Sequence, residues 1–78
     1  MVLVRYFAGA RAAAGVAEEK LAASTLDDLV TQIRGRSERM PAVLAVSSFL
    51  VDGLAVRDLD TVLGDGSTVD VLPPFAGG

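Results

Sequence analysis

The chain ends in Phe75-Ala76-Gly77-Gly78, directly after Pro73-Pro74. Two glycines make a strip of backbone with no side chain and free choice of φ. Such a strip can thread a narrow channel in another protein, and its payload is the carboxylate of Gly78. A carboxylate resists nucleophiles until it is activated, and adenylation by ATP in a partner enzyme is the direct route. The resulting mixed anhydride accepts sulfur to give a thiocarboxylate, or a protein thiol or amine to give a conjugate. Glycine at the reacting end minimises steric resistance in each case. From Phe75 to Gly78 the tail reaches about 13 Å when extended, enough to enter a buried site. Neither Pro73 nor Pro74 can donate to a strand ladder, so the pair is expected to stop the sheet and leave the glycines projecting.

The rest of the chain is poorly equipped for chemistry of its own. Among its 78 residues there is no Cys and no His, which removes the commonest nucleophile, the commonest general base and the usual zinc ligands. No catalytic residue, resident cofactor or metal is expected. Asp58, Asp60 and Asp65 are loosely spaced, and Leu59 with the nearby turn glycines makes them a polar loop rather than a hard-metal site. Asp27-Asp28 read as helix-start chemistry. The net charge of −3 and pI near 4.6 argue against nucleic acid, because phosphate neutralisation needs a basic face. The acidic balance suits a partner with a basic docking surface. No run approaches 18 apolar residues and the start carries no signal-peptide pattern, so no membrane contact and a cytoplasmic location are expected.

The elements that must position the tail can be read in order. Residues 2–8 are β-branched and aromatic and predict a strand, with Val2, Val4 and Tyr6 on one face and Leu3, Arg5 and Phe7 on the other. Arg5 marks the second face as the open one. Residues 9–15 suggest a helical turn or short loop, and residues 16–22 the return arm of a hairpin. Leu26, Leu29, Val30 and Ile33 stand at i, i+3, i+4 and i+7, an amphipathic helix over 25–35. Ser24 or Thr25 caps it, Asp27 and Asp28 sit in its first turn, and Gly35 follows Arg34 at its end. Residues 36–47 are ambiguous: Arg36, Glu38 and Arg39 look solvated, and Pro41 is able to open a short helix through Ala42–Val46. Phe49-Leu50-Val51 reads as a buried strand closed by the turn Asp52-Gly53. Residues 54–63 hold a further extended or turn segment, and Asp65-Gly66 another turn. Val69–Leu72 is a last strand with Val69 and Val71 inward and Asp70 and Leu72 outward. The first and last strands, both strongly apolar, are expected neighbours. The class is α+β: a mixed sheet with one main helix across one face.

These residues resemble a known family. Val4-Arg5-Tyr6-Phe7-Ala8 with Arg11 and Ala14-Gly15, Leu63-Gly64-Asp65-Gly66, and above all Leu72-Pro73-Pro74-Phe75-Ala76-Gly77-Gly78 are similar to the small subunit of molybdopterin synthase, a ubiquitin-like sulfur carrier of the MoaD/ThiS type. Residues 35–48 match nothing in particular, and Asp52 stands where the family often has Asn. The resemblance implies a β-grasp domain over residues 1–74 with a protruding tail, 75–78. It implies adenylation of Gly78 by an ATP-dependent, E1-like enzyme, with ATP used by that partner. A sulfur donor system then supplies a Gly78 thiocarboxylate. The tail, with Gly77 and Ala76, enters the large synthase subunit, which holds the catalytic groups, and sulfur passes to a pyranopterin precursor.

A partner is expected on the open sheet face, around Leu3, Phe7 and Leu72 with Pro73, Pro74 and Phe75 beyond the strand end. That is more apolar surface than so small a protein normally exposes. Arg11 either meets an acidic group of a partner or is simply solvated. Related carriers serving thiamine, cysteine or tRNA thiolation also end in Gly-Gly, as do ubiquitin-like modifiers that attach to lysines. A non-covalent interaction domain with an incidental Gly-Gly end is the remaining alternative.

Overall fold

The two-residue alternation of Val2, Val4 and Tyr6 with Leu3 and Arg5 makes the first strand, β1 (Val2–Tyr6). In the computed structural model, which describes residues 1–74, it is followed by α1 (Gly9–Ala14), β2 (Glu18–Leu21), α2 (Leu26–Arg34), α3 (Met40–Val46), β3 (Ser48–Val51), β4 (Leu54–Val56) and β5 (Thr68–Leu72). The five strands form one mixed sheet in the order β2-β1-β5-β3-β4. The first and last strands lie side by side at its centre, parallel, with Val4 opposite Val69 and Tyr6 opposite Val71. Every other pairing is antiparallel.

One face of the sheet builds the core. Val2, Val4, Tyr6, Val69 and Val71 are each at most 2% exposed. Against them pack Leu26, Leu29, Val30 and Ile33, the apolar stripe of α2, together with Met40 and Leu44 of α3 and Ala10 and Ala13 of α1. Each fully buried aliphatic side chain of this size stabilises the fold by roughly 1.5–3 kcal/mol. The start of α2 is fixed by a reciprocal cap. Thr25 Oγ1 accepts from the Asp28 N–H at 3.1 Å, and Asp28 Oδ2 accepts from the Ser24 N–H at 3.1 Å.

The structure closes two readings that the sequence left open and departs from a third. The single main helix is α2, but α1 and α3 flank it. Residues 9–15 form a helix closed by Gly15 at φ 79°, and Met40 and Leu44 give the ambiguous stretch a buried side that holds α3 in place. The Phe49–Val51 run is only half-buried, because β3 lies one strand from the edge and β4, its outer neighbour, has three residues. The two join through Asp52 (φ 49°) and Gly53 (φ 86°), the pair of left-handed residues that a two-residue hairpin turn requires. Asp and Asn tolerate that region best among side-chain-bearing residues. Asp52 also ties the hairpin to β5: its N–H donates to the Thr68 carbonyl at 2.8 Å, and its Oδ1 accepts from the Thr68 N–H at 2.9 Å.

Candidate functional site: the open sheet face and the end of the last strand

The helix-free face is set by the same alternation read in the opposite phase. Strand register puts Leu3 beside Thr68, Arg5 beside Asp70, Leu50 on the other flank of Asp70, and Ser48 beside Leu72. The Phe7 N–H donates to the Val71 carbonyl at 3.2 Å, which carries the pairing one residue past β1 and brings Phe7 to the end of β5. Leu3, Phe7, Leu50 and Leu72 are all half-buried. They surround a polar centre, and at their C-terminal margin Pro73 (half-buried) and Pro74 (exposed) follow the central strand of the sheet.

That centre is an ion pair. Arg5 Nε donates to Asp70 Oδ1 at 2.6 Å and Arg5 Nη2 to Asp70 Oδ2 at 2.9 Å, a bidentate fork. The hydrogen bond to Asp70 and its charge hold the Arg5 pKa above its usual value. The Arg5 guanidinium also lies 5.9 Å from the centroid of the Phe7 ring, within cation–π range. Asp70 does point to the outward face, but it is only 6% exposed rather than solvated. Its neighbours Arg5 and Leu50 on the flanking strands close over it.

A second polar cluster lies on the helix side at the β2 edge. The Tyr6 hydroxyl donates to Glu19 Oε2 at 2.6 Å, and Arg36 Nε and Nη2 donate to the same carboxylate, the closest contact being 2.5 Å. Arg36 is therefore paired across the fold, not merely solvated as its sequence neighbours suggest. Its hydrogen bond holds the Glu19 carboxyl below the usual range, while burial first, and the Glu19 hydrogen bond second, push the Tyr6 phenol well above its usual value. The cluster joins β1, β2 and the segment after α2, and it fixes the frame behind the open face.

Of the residues singled out from sequence, Leu3, Phe7, Leu72, Pro73 and Pro74 do gather on or beside the open face. Leu3, Phe7 and Leu72 are half-covered, and among the described residues the large apolar side chains most open to solvent are elsewhere, at Leu54, Val62, Val46 and Met1. Arg11 is exposed on α1, the helix that leaves from the Phe7 end of β1. Phe75, Ala76, Gly77 and Gly78 lie outside the described residues. Asp70 and Leu50 escaped notice as site residues; an acidic residue inside a valine-rich strand is the signal that marks Asp70. Ala8, between Phe7 and α1, holds φ 49° and ψ −123°, a region that costs a side-chain-bearing residue about 1–3 kcal/mol. Asp58, Asp60 and Asp65 do not converge: Asp58 accepts from the Asp60 N–H at 2.9 Å, and Asp65 pairs with the Met1 amino group. Among the described residues no three acidic, His or Cys side chains are grouped to hold a metal.

The ThiS family model matches residues 4–78. No curated protein sequence matches significantly. Among solved structures, a Pyrococcus furiosus protein described as a molybdopterin converting factor subunit 1 is similar at TM-score 0.83 and 33% identity, covering 94% of this chain and 95% of that one. Small archaeal modifier protein 1 from Methanosarcina acetivorans gives TM-score 0.86 and 26% identity, over 99% and 95%. A complex of subunits 1 and 2 of the Helicobacter pylori molybdopterin-converting factor gives TM-score 0.75 and 27% identity, over 99% and 97%. With a five-stranded sheet, helices on one side and a family match that runs through Gly78, the chain belongs to the ThiS family and has the β-grasp fold of the ubiquitin-like sulfur carriers.

Proposed function

We propose that this protein is the sulfur-donating small subunit of a molybdopterin synthase. The observation that carries the reading is the join of Leu72, Pro73 and Pro74 to the Gly77-Gly78 end. The central strand of the sheet delivers the tail, and the family match extends over it. In this reading the Gly78 carboxylate attacks the α-phosphate of ATP in an adenylating enzyme, and pyrophosphate leaves. Sulfide delivered by a donor then displaces AMP from the acyl carbon, leaving a thiocarboxylate; its sulfur attacks a pyranopterin precursor in the large subunit, and water takes the acyl carbon to return the Gly78 carboxylate. Beyond this terminal group, the reading asks no side chain of the chain to act as acid, base or nucleophile. Its body presents the open face around Arg5, Phe7, Asp70 and Leu72 to each partner in turn, with Phe75, Pro73, Pro74 and Arg11 at the margin. The likeness to the Pyrococcus and Helicobacter proteins, at 33% and 27% identity, supports this assignment over the other carriers. The work is assigned to the cytoplasm, where ATP is available.

A second reading, a modifier attached to other proteins through Gly78, is favoured by the likeness to the Methanosarcina modifier. Lys20 is the single lysine, so a chain of copies linked through lysine has one possible branch point. Intact-mass measurement after incubation with ATP, a candidate activating enzyme and a sulfur donor separates the readings. A mass gain of one sulfur-for-oxygen exchange, followed by sulfur transfer when large subunit and pyranopterin substrate are added, is the expected result. Higher-mass adducts on lysines of other proteins, with no thiocarboxylate, would move the assignment to the modifier.

A further inference from the structure

Arg5 has more hydrogen-bonding capacity than its pair with Asp70 uses. A guanidinium carries five N–H groups. The Nε–H and one N–H of Nη2 go to the two Asp70 oxygens. The other three, two on Nη1 and one on Nη2, have no acceptor among the described residues. The Arg5 side chain is 46% exposed against 9% for that of Asp70, so the pair turns its donor end outward and its acceptor end inward. The fork and the Phe7 ring, 5.9 Å from the guanidinium carbon, hold that donor end in one orientation. Water satisfies it in the free protein. A partner that covers the face strips that water away and must replace it, because a buried donor left unpaired is costly.

The surrounding charge decides what the replacement is. Asp70 already neutralises Arg5, and on β2 the register sets Glu18 opposite Arg5 and Lys20 opposite Leu3, one charge of each sign. A partner carboxylate brought to Arg5 would meet Asp70 and Glu18 as like charges, and a partner cation would meet Arg5 itself. We propose that the outward N–H groups of Arg5 are the specificity contact of the open face, selecting a partner surface that offers an uncharged oxygen, a main-chain carbonyl above all, within an apolar frame. Leu3, Phe7, Leu50 and Leu72, half-buried around the pair, are the chain's half of that frame. Asp70 is a positioning residue that aims the guanidinium. Lysine cannot stand in for Arg5, since it offers a point charge without the planar donor edge. The inference rests on the synthase reading for the partner's identity, the large subunit, and deepens it by naming the chemistry of the contact.

The test is a titration of the large subunit with the parent chain, Arg5→Lys and the double variant Arg5→Leu with Asp70→Leu, each at low and high salt and each with its melting temperature. Replacing both members of the pair by apolar residues leaves no unpaired charge, so the double variant is expected to keep its melting temperature. It is expected to bind about tenfold more weakly, because the partner's oxygen loses its donor. Arg5→Lys keeps the charge and is expected to lose a comparable factor. Both losses are expected to be equal at the two salt concentrations, as befits an uncharged acceptor. A double variant that binds as tightly as the parent overturns the inference alone, showing that apolar contact is enough. A loss that shrinks at high salt overturns it by revealing a carboxylate on Arg5. Parental affinity in Arg5→Lys overturns it even where the double variant fails to fold. A parent chain that does not bind the large subunit overturns the synthase reading and the inference together.

Discussion

β1 and β5 use one pair of backbones to make two different surfaces. Towards the helices they present Val2, Val4, Tyr6, Val69 and Val71, sealed from water. Towards solvent they present Leu3, Arg5, Asp70 and Leu72, half-covered and organised around a bidentate ion pair. The sealed face depends on filled volume and tolerates no loss of it. The open face keeps its apolar residues apart with a charge pair whose hydrogen bonds are mutually satisfied. Under the proposed function, structure falls to one face and recognition to the other, residue by residue along two strands.

The sharpest challenge to that division is to remove Gly77 and Gly78. Deleting Gly77 and Gly78 is expected to abolish the sulfur-for-oxygen mass gain while leaving the melting temperature unchanged. A fall in melting temperature would mean that the tail is part of the body. Next comes a pair of adjacent substitutions. Val4→Ala, on the sealed face, should cost roughly 2 kcal/mol through lost burial and the cavity left behind. Leu3→Ala should cost under about 1 kcal/mol and weaken large-subunit binding instead. Denaturant midpoints together with a binding titration check both, and equal destabilisation by the two would erase the distinction between the faces.

A smaller effect probes the cluster behind the sealed face. Glu19→Gln should cost about 1 kcal/mol at neutral pH, the exposure of Arg36 limiting the effect. The Glu19 carboxyl is held down in the folded state, so its contribution is fully present above its unfolded pKa of about 4.3 and is lost as pH falls through the folded value. Stability curves of the parent and Glu19→Gln are therefore expected to converge as the pH drops from 5 to 3. The smallest change is a gain: Ala8→Gly should add about 1 kcal/mol by relieving the positive φ at the end of β1. A calorimetric loss there would mean that the surroundings of Ala8 need its methyl group.

The sequence was legible where local rules apply. Alternation in Val2–Tyr6 and Val69–Leu72, the Leu26–Ile33 stripe and the Asp52-Gly53 turn each declare an element within a few residues. The stop of the last strand at Leu72, before Pro73 and Pro74, is likewise a local pattern. What stayed hidden depends on register between distant strands. Asp70 reads as a solvent-facing residue until Arg5, 65 residues away, is placed beside it by the parallel pairing. Arg36 reads as solvated until Glu19 is seen to turn inward beneath Tyr6. Residues 40–46 carried a start signal in Pro41, but only Met40 and Leu44 of that helix are buried, too few to write a periodic stripe.

The placement of the last strand at the middle of the sheet has a consequence for biosynthesis. Until Leu72 has been synthesised, β1 and β3 have no strand between them, and each exposes a bare edge to other chains. Shortened translation products that lack β5 cannot complete a core and are open to proteolysis. A complete sheet therefore exists only in chains that already carry β5, and Pro73 and Pro74 follow that strand directly.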